Sequence, residues 1–138
     1  MVITRSLGLD IGDKRIGVAL SDPQGILASP LIIINRRDDK ADVEAIRNVV
    51  YQHQVEQIIV GLPRSMNGSI GEQAKKVQVF TQKLCEHIEV PVEFRDERLT
   101  TVLAKRLIRD TKKTAGKARH DDAVAAALIL QGYLDEGR

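Results

Sequence analysis

An aspartate inside the first apolar segment limits what this chain can fold into. Asp10 stands in the run SLGLDIG (residues 6–12), which is followed by a second apolar run, IGVAL (residues 16–20). Burying a carboxylate among apolar side chains costs several kcal/mol unless a cation or hydrogen-bond donors compensate for it. Val or Ile would serve a purely structural strand better, so the acid indicates a position with a chemical role.

Alternating apolar residues and short turns predict three strands in the first part of the chain. Residues 5–11, 15–21 and 28–34 fit consecutive antiparallel strands joined by turns that contain glycine or proline. Pro30 has no N–H to donate to a neighbouring strand, so the third strand is expected at an edge of the sheet.

Helical periodicity then alternates with two further strands. We expect helices over residues 38–53, 74–88 and 99–110 and in the alanine-rich segment after residue 122, and strands over residues 57–61 and 91–95. The order βββαβαβαα predicts an α/β fold with a five-stranded mixed sheet, three antiparallel strands then two parallel ones, flanked by helices. Residues 1–138 contain no repeat or linker, so we expect one domain.

Composition narrows the possible partners and compartment. Aromatic residues make up 3% of the chain and Trp is absent, so nucleic-acid binding would depend on charge and backbone amides more than on base stacking. The single Cys85 fits a reducing compartment. No uninterrupted apolar run approaches the ~20 residues that span a bilayer. We therefore expect a cytoplasmic protein with no membrane partner.

Positive charge is concentrated late in the chain although the net charge is only +2. Seven basic residues stand between Lys105 and Arg119, against the single acid Asp110. Such a run is most often a solvated face or a mobile loop. Beside a cluster of carboxylates, it also becomes a candidate for following the phosphates of a nucleic acid.

Two further acids stand, like Asp10, at the ends of predicted elements. Glu97 follows the fifth strand, and Asp122 precedes the apolar stripe of the last helix. If the fourth and fifth strands run parallel to the first, Asp10, Gly61 and Glu97 emerge at one edge, towards which Asp122 can point. Converging carboxylates repel one another unless hard cations such as Mg²⁺ or Mn²⁺ bind them. Two such ions about 3.5–4 Å apart stabilise both oxygens of a phosphodiester displacement.

Each acid also has a plain structural interpretation. Asp10 could cap the Gly12 turn, Glu97 could belong to a surface chain of ion pairs, and Asp121 or Asp122 could be a helix N-cap. No Ser-His-Asp arrangement or activated cysteine is evident as a competing chemistry. Metal-assisted hydrolysis therefore fits the acids best.

Four motifs together resemble the YqgF/RuvX family of pre-16S rRNA nucleases and Holliday-junction resolvase-like proteins. They are DIGDKRIGVA (10–19), VGLP (60–63) with MNG (66–68), DERLTT (96–101) and DAVAAALILQGYL (122–134). The resemblance covers nearly the whole chain and implies an RNase H-like fold. It also implies a metal-dependent endonuclease whose catalytic and metal-binding residues are Asp10, Glu97 and Asp122. Asp121 stands where the family usually has an apolar residue, so a contribution from it stays open.

The resemblance implies a hydrolase acting on ester bonds in precursor 16S rRNA, at the 5′-end maturation step of ribosome biogenesis, with ribosomal assembly components as further partners. Alternatives are a resolvase of branched DNA and a non-catalytic nucleic-acid-binding assembly or transcription factor. An actin-like or sugar-kinase ATPase also opens with an Asp-x-Gly turn, but it needs a second domain. The candidate substrate-binding residues are Gly12, Arg15, Gly61, Pro63, Arg64, Asn67, Gly68, Arg98, Thr100, Lys112 and Lys113.

Overall fold

Five strands form one mixed sheet in the computed structural model, which describes residues 5–63, 70–96 and 118–136, with side chains from residue 122 onward in the last range. The strands are β1 (Arg5–Ile11), β2 (Arg15–Ser21), β3 (Ala28–Asn35), β4 (Val55–Leu62) and β5 (Val92–Asp96). Their spatial order is β3-β2-β1-β4-β5. The first three are antiparallel neighbours, and β4 and β5 run parallel to β1. The predicted sheet is confirmed, including the edge position of β3.

In the described part of the chain, three helices accompany the sheet: α1 (Asp39–His53), α2 (Glu72–His87) and α3 (Ala118–Glu136). The predicted helix over residues 99–110 lies outside the described residues. Because α3 begins four residues before Asp122, the interpretation of Asp121 or Asp122 as an N-cap is wrong. No helix in the described ranges combines the length and apolarity needed to cross a membrane.

The helices pack on opposite faces of the sheet because strand side chains alternate between them. Leu7, Leu9 and Ile11 of β1 point to the face that α1 and α2 cover, and they share a core with the apolar stripes of those helices. The even-numbered residues of β1 therefore point to α3, whose buried residues pack on Ala19 and Ile59. Asp10, an even-numbered residue, lies on the α3 face.

Helix α3 approaches the sheet where β1 and β2 carry glycines. A Cβ placed on Gly8 would lie 2.8 Å from the carbonyl oxygen of Ala126 and from the Cβ of Leu130. At the far end of the helix, the guanidinium of Arg95 packs against Gly132, and its Nη1 pairs with Glu136 at 2.5 Å. Contacts along most of the helix thus fix its position over the sheet.

On the other face, Arg36 ties the turn after β1 to the helices. Its Nη1 donates to the carbonyl oxygen of Gly12 at 3.0 Å, and its Nε donates to Asp42 at 3.0 Å. The guanidinium also lies 4.8 Å from the ring centroid of Phe80 and pairs with Asp39 at 3.1 Å. Asp42 is only 2% exposed and accepts a second bond from the backbone N–H of residue 37. A buried charge pair therefore holds the β1–β2 turn against α1 and α2.

Asp42→Asn is expected to lower the free energy of unfolding by about 2–4 kcal/mol, because it removes one partner of a buried ion pair and leaves the guanidinium of Arg36 undercompensated. Asp39→Asn is the matched control. Its carboxylate binds the same guanidinium but is 43% exposed, so a loss below about 1 kcal/mol is expected. Urea unfolding of both variants measures the difference, and equal losses would contradict the importance of burial here.

Candidate functional site

Asp10 lies between glycines on both neighbouring strands. In the register of β1 and β2, it pairs with Gly17. On the other side, Leu9 pairs with Val60 of β4, which brings Gly61 alongside Asp10. Side chains of laterally adjacent strand residues point to the same face. Neither neighbouring strand therefore places a side chain beside the half-buried Asp10.

Asp122 reaches the same place from α3. A Cβ on Gly17 would lie 2.0 Å from the carbonyl oxygen of Asp122 and 3.0 Å from the backbone N of Ala123, so only glycine fits beneath this turn of the helix. Cα atoms of paired antiparallel residues are about 4.5–5.5 Å apart. The backbone of Asp122 therefore lies over Gly17, the residue paired with Asp10, so α3 carries Asp122 to the part of the sheet where Asp10 lies. These are two of the three acids predicted to form the site.

Arg15 is a cation in contact with Asp122. It stands two residues before Gly17 on β2 and so points to the same face, where its Nε donates to Oδ2 of Asp122 at 2.7 Å. The two side chains are 38% and 30% exposed. An ion pair so exposed contributes at most about 1 kcal/mol to stability. Its position beside Asp10 is therefore more informative about the chemistry of the site than about folding.

The turn between β1 and β2 keeps these groups in register. The N–H of Gly12 donates to the carbonyl oxygen of Arg15 at 2.9 Å, and a Cβ on Gly12 would lie equally close to that oxygen. The N–H of Gly12 thus has a backbone partner within the turn. Gly12 therefore contributes to the turn through its backbone hydrogen bond. Pro63 follows the last residue of β4 at the same edge of the sheet.

The remaining predicted site residues lie outside the described residues. They are Glu97, Arg64, Asn67, Gly68, Arg98, Thr100, Lys112 and Lys113, together with the side chain of Asp121. Within residues 5–63, 70–96 and 118–136, no group of three or more His, Cys, Asp or Glu side chains could hold a metal ion. Glu97 directly follows Asp96, the last residue of β5, which pairs with Leu62 at the end of β4.

The donor chemistry around Gly17 fits a hard divalent cation. Asp10 and Asp122 offer carboxylate oxygens, the ligands that Mg²⁺ and Mn²⁺ prefer, and both are partly open to solvent. The guanidinium of Arg15 pairs with Asp122, so the carboxylate of Asp122 already binds a positively charged group. Asp10 and Asp122 could therefore contribute carboxylate ligands to such a cation, which would need further oxygen ligands besides.

Gly17 belongs to this site, but it was not among the site residues predicted from the sequence. A glycine inside a strand signals a bulge or a close backbone approach, so the sequence held the clue. The Arg15–Asp122 contact spans 107 positions and has no local signal of this kind.

A groove of about 540 Å³ lies elsewhere, between α1 and α2. Its lining alternates acids and bases, among them Glu44, Arg47, Lys83 and Glu86. Since α1 and α2 cover the face opposite to α3, this groove is separated from Asp10 by the sheet. It is not part of the carboxylate site.

Comparisons of sequence identify relatives along almost the entire chain. The family model described as "RuvX: Holliday junction resolvase" matches residues 4–136. A protein of Desulforamulus reducens, named "Putative pre-16S rRNA nuclease", is 45% identical over 134 residues, which cover 96% of this chain and 98% of that protein. One of Dehalococcoides mccartyi with the same name is 52% identical over 126 residues, covering 91% and 94%.

Comparisons of structure give the same fold at much lower sequence identity. RuvC of T. thermophilus in complex with a Holliday junction substrate aligns with a TM-score of 0.65 and 13% identity, covering 97% of this chain and 96% of that one. The Fowlpox virus resolvase in complex with Holliday junction DNA aligns with a TM-score of 0.60 and 12% identity, covering 96% and 98%. These likenesses confirm the predicted RNase H-like fold.

Gly17→Ala is expected to separate the two acids, because the new Cβ must push the first turns of α3 away from β2. We expect a loss of about 1–3 kcal/mol in the free energy of unfolding, together with weaker Mn²⁺ binding. Urea unfolding and calorimetric Mn²⁺ titration measure the two effects.

The matched control is Gly71→Ala, where a Cβ meets nothing within 4 Å. Gly71 is the N-cap of α2, so this variant is expected to lose less than about 1 kcal/mol and to bind Mn²⁺ as the wild type does. Unchanged Mn²⁺ binding in Gly17→Ala would contradict the placement of Asp122 beside Asp10.

Proposed function

This chain belongs to the RuvX family of Holliday junction resolvases, and on that premise we propose that it is a metal-dependent nuclease that hydrolyses phosphodiesters in precursor 16S rRNA during 5′-end maturation. The observation that carries the proposal is that Asp122 of α3 lies over Gly17, the residue paired with Asp10. Two carboxylates held side by side repel each other, and a divalent cation converts that repulsion into ligation. The proposed compartment is the cytoplasm.

We assign the metal to Asp10 and Asp122, with Glu97 as a third ligand and Mg²⁺ or Mn²⁺, two ions in all, as the cofactor. When bound, such ions activate water and stabilise the charge that develops on the attacking and leaving oxygens of a phosphodiester. The protein's part is to hold the ligands rigidly. Asp10 sits on a central strand, and Asp122 sits on a helix seated on glycine, so neither carboxylate depends on a surface loop for its position.

Substrate binding is proposed for residues around this edge of the sheet. Gly12 follows the end of β1, Gly61 lies near the end of β4, and Pro63 follows β4 at the same edge, so these residues are proposed to line the path of a polynucleotide backbone. Arg15 supplies a guanidinium whose donors suit phosphate oxygens. From the sequence motifs, Arg64, Asn67, Gly68, Arg98 and Thr100 extend the same role, and Lys112 and Lys113 belong to the basic run that would widen the footprint.

The names of the sequence relatives support ribosomal RNA as the substrate, since those proteins match this chain over more than nine-tenths of its length. The family description supports branched DNA as the second candidate. Both substrates are bent polyanions, and the same carboxylate site could cleave either one. Ribosomal assembly components are proposed partners only if precursor rRNA is the substrate.

We expect a reduction of the cleavage rate by about a hundredfold or more in each of three variants, Asp10→Asn, Asp122→Asn and Glu97→Gln. Each variant removes a carboxylate that would hold a metal ion, and the ions would stabilise the charge of the transition state. The measurement is Mg²⁺-dependent cleavage of a precursor 16S rRNA fragment and of a four-way DNA junction, with the cut sites mapped. The matched control is Asp13→Asn, which alters an exposed acid three residues from Asp10 and should cleave at nearly the wild-type rate.

Each outcome has a distinct meaning. Cleavage of the RNA at a discrete site supports the proposal, and cleavage of the junction alone would replace it with a resolvase. Binding of structured RNA without cleavage, in Mg²⁺ and in Mn²⁺, would make the protein a non-catalytic assembly factor. Wild-type cleavage by Asp10→Asn would overturn the assignment of the site.

A further inference from the structure

We propose that Arg15 is a resident counter-cation of the carboxylate site, which exchanges Asp122 for a substrate phosphate when a divalent ion binds. The inference rests on the proposed metal-dependent function and deepens it. Its basis is one contact. The Nε of Arg15 lies 2.7 Å from Oδ2 of Asp122, on the face of the sheet to which Asp10 also points.

Charge explains why a cation is needed at this position. Asp122 lies over Gly17, the residue paired with Asp10, and glycine offers no side chain to lie between the two acids. The two carboxylates together carry a charge of −2, and with the guanidinium of Arg15 the three groups carry −1. Arg15 therefore lowers the repulsion between the acids in the protein without metal, and for the same reason it competes with an incoming cation for Asp122.

The geometry allows this guanidinium to move. The side chain of Arg15 is 38% exposed, and within residues 5–63, 70–96 and 118–136 it is held by one hydrogen bond, from Nε to Asp122. The buried Arg36, in contrast, is held by Gly12, Asp39 and Asp42 together. A singly held, solvent-exposed guanidinium can leave its partner at little cost. Once Asp122 binds a metal, the planar fork of Arg15 becomes available to a phosphate at the edge of the same site.

This exchange couples metal binding to substrate binding. Without metal, Arg15 is engaged by Asp122 and contributes little to nucleic-acid affinity. With metal, the same guanidinium adds a charge-assisted contact to the phosphate backbone. Arg15 is thus a positioning residue for the metal site and a conditional contact for the substrate, and by linkage each ligand should strengthen the binding of the other.

The first test is a calorimetric titration of the protein with MnCl₂ in the absence of nucleic acid. Arg15→Gln is expected to bind Mn²⁺ roughly tenfold more tightly than the wild type, because the competing cation is gone. Arg15→Lys keeps the charge and should stay near the wild-type affinity. The matched control, Arg47→Gln, removes a positive charge from the face of the sheet opposite to α3 and should leave the affinity unchanged.

The second test measures the binding of a structured RNA by fluorescence anisotropy, with and without Ca²⁺. Arg15→Gln should weaken binding about three- to tenfold in Ca²⁺ but less than twofold without it. Damage to the fold would weaken metal binding as well as RNA binding, so tighter Mn²⁺ binding combined with weaker RNA binding is specific to the exchange. Circular dichroism melting confirms that each variant is folded.

Unchanged or weaker Mn²⁺ binding by Arg15→Gln would overturn the inference, as would an equal loss of RNA affinity with and without Ca²⁺. If no protein in the series binds Mn²⁺, the inference and the metal assignment are both wrong. If the wild type binds Mn²⁺ but cleaves neither RNA nor the DNA junction, the proposed nuclease function fails on its own, because the titration still decides the role of Arg15.

Discussion

The contact between α3 and the glycines of β1 and β2 is the constraint on which the carboxylate site depends. At Gly8 and Gly17, the backbone of the helix occupies space that a side chain would otherwise fill. Because α3 lies this close to the sheet, Asp122 comes near the strand position of Asp10. A methyl group at either glycine would push the helix away from the sheet. The motif that supplies Asp10 therefore also supplies, seven residues later, the glycine that brings its partner into reach.

The opposite face of the sheet supports the same hairpin by different means. Arg36 reaches under the turn to Gly12 and is itself held by the buried carboxylate of Asp42. The turn between Asp10 and Arg15 is thus fixed from below by a buried charge pair and from above by α3. The hairpin is therefore held rigidly. The guanidinium of Arg15, in contrast, is held within the described residues by one partly exposed hydrogen bond to Asp122.

The sequence predicted the sheet well because its signals are local. The alternation of apolar residues, the turn residues and Pro30 located β1 to β3. The short apolar run before Gly61 indicated a strand that is covered on both faces. The complete burial of Ile58, Ile59 and Val60 confirms this. The start of α3 was missed because residues 118–121 carry no apolar stripe, although their backbone is helical. The Arg15–Asp122 contact could not be predicted, since nothing local records a pairing across 107 positions.

Electrostatics links the two halves of the proposed mechanism. In the proposed mechanism, a polyanionic backbone that approaches the site meets the charges of Asp10 and Asp122, and Arg15 pairs with Asp122. A divalent cation at these acids would then favour the binding of nucleic acid, so that binding and chemistry would depend on the same ion. In that case the carboxylates do not have to recognise the sequence or the shape of the substrate. Under this proposal, discrimination between a precursor RNA and a DNA junction depends on other contacts, and the run from Lys105 to Arg119 is the largest concentration of positive charge in the sequence.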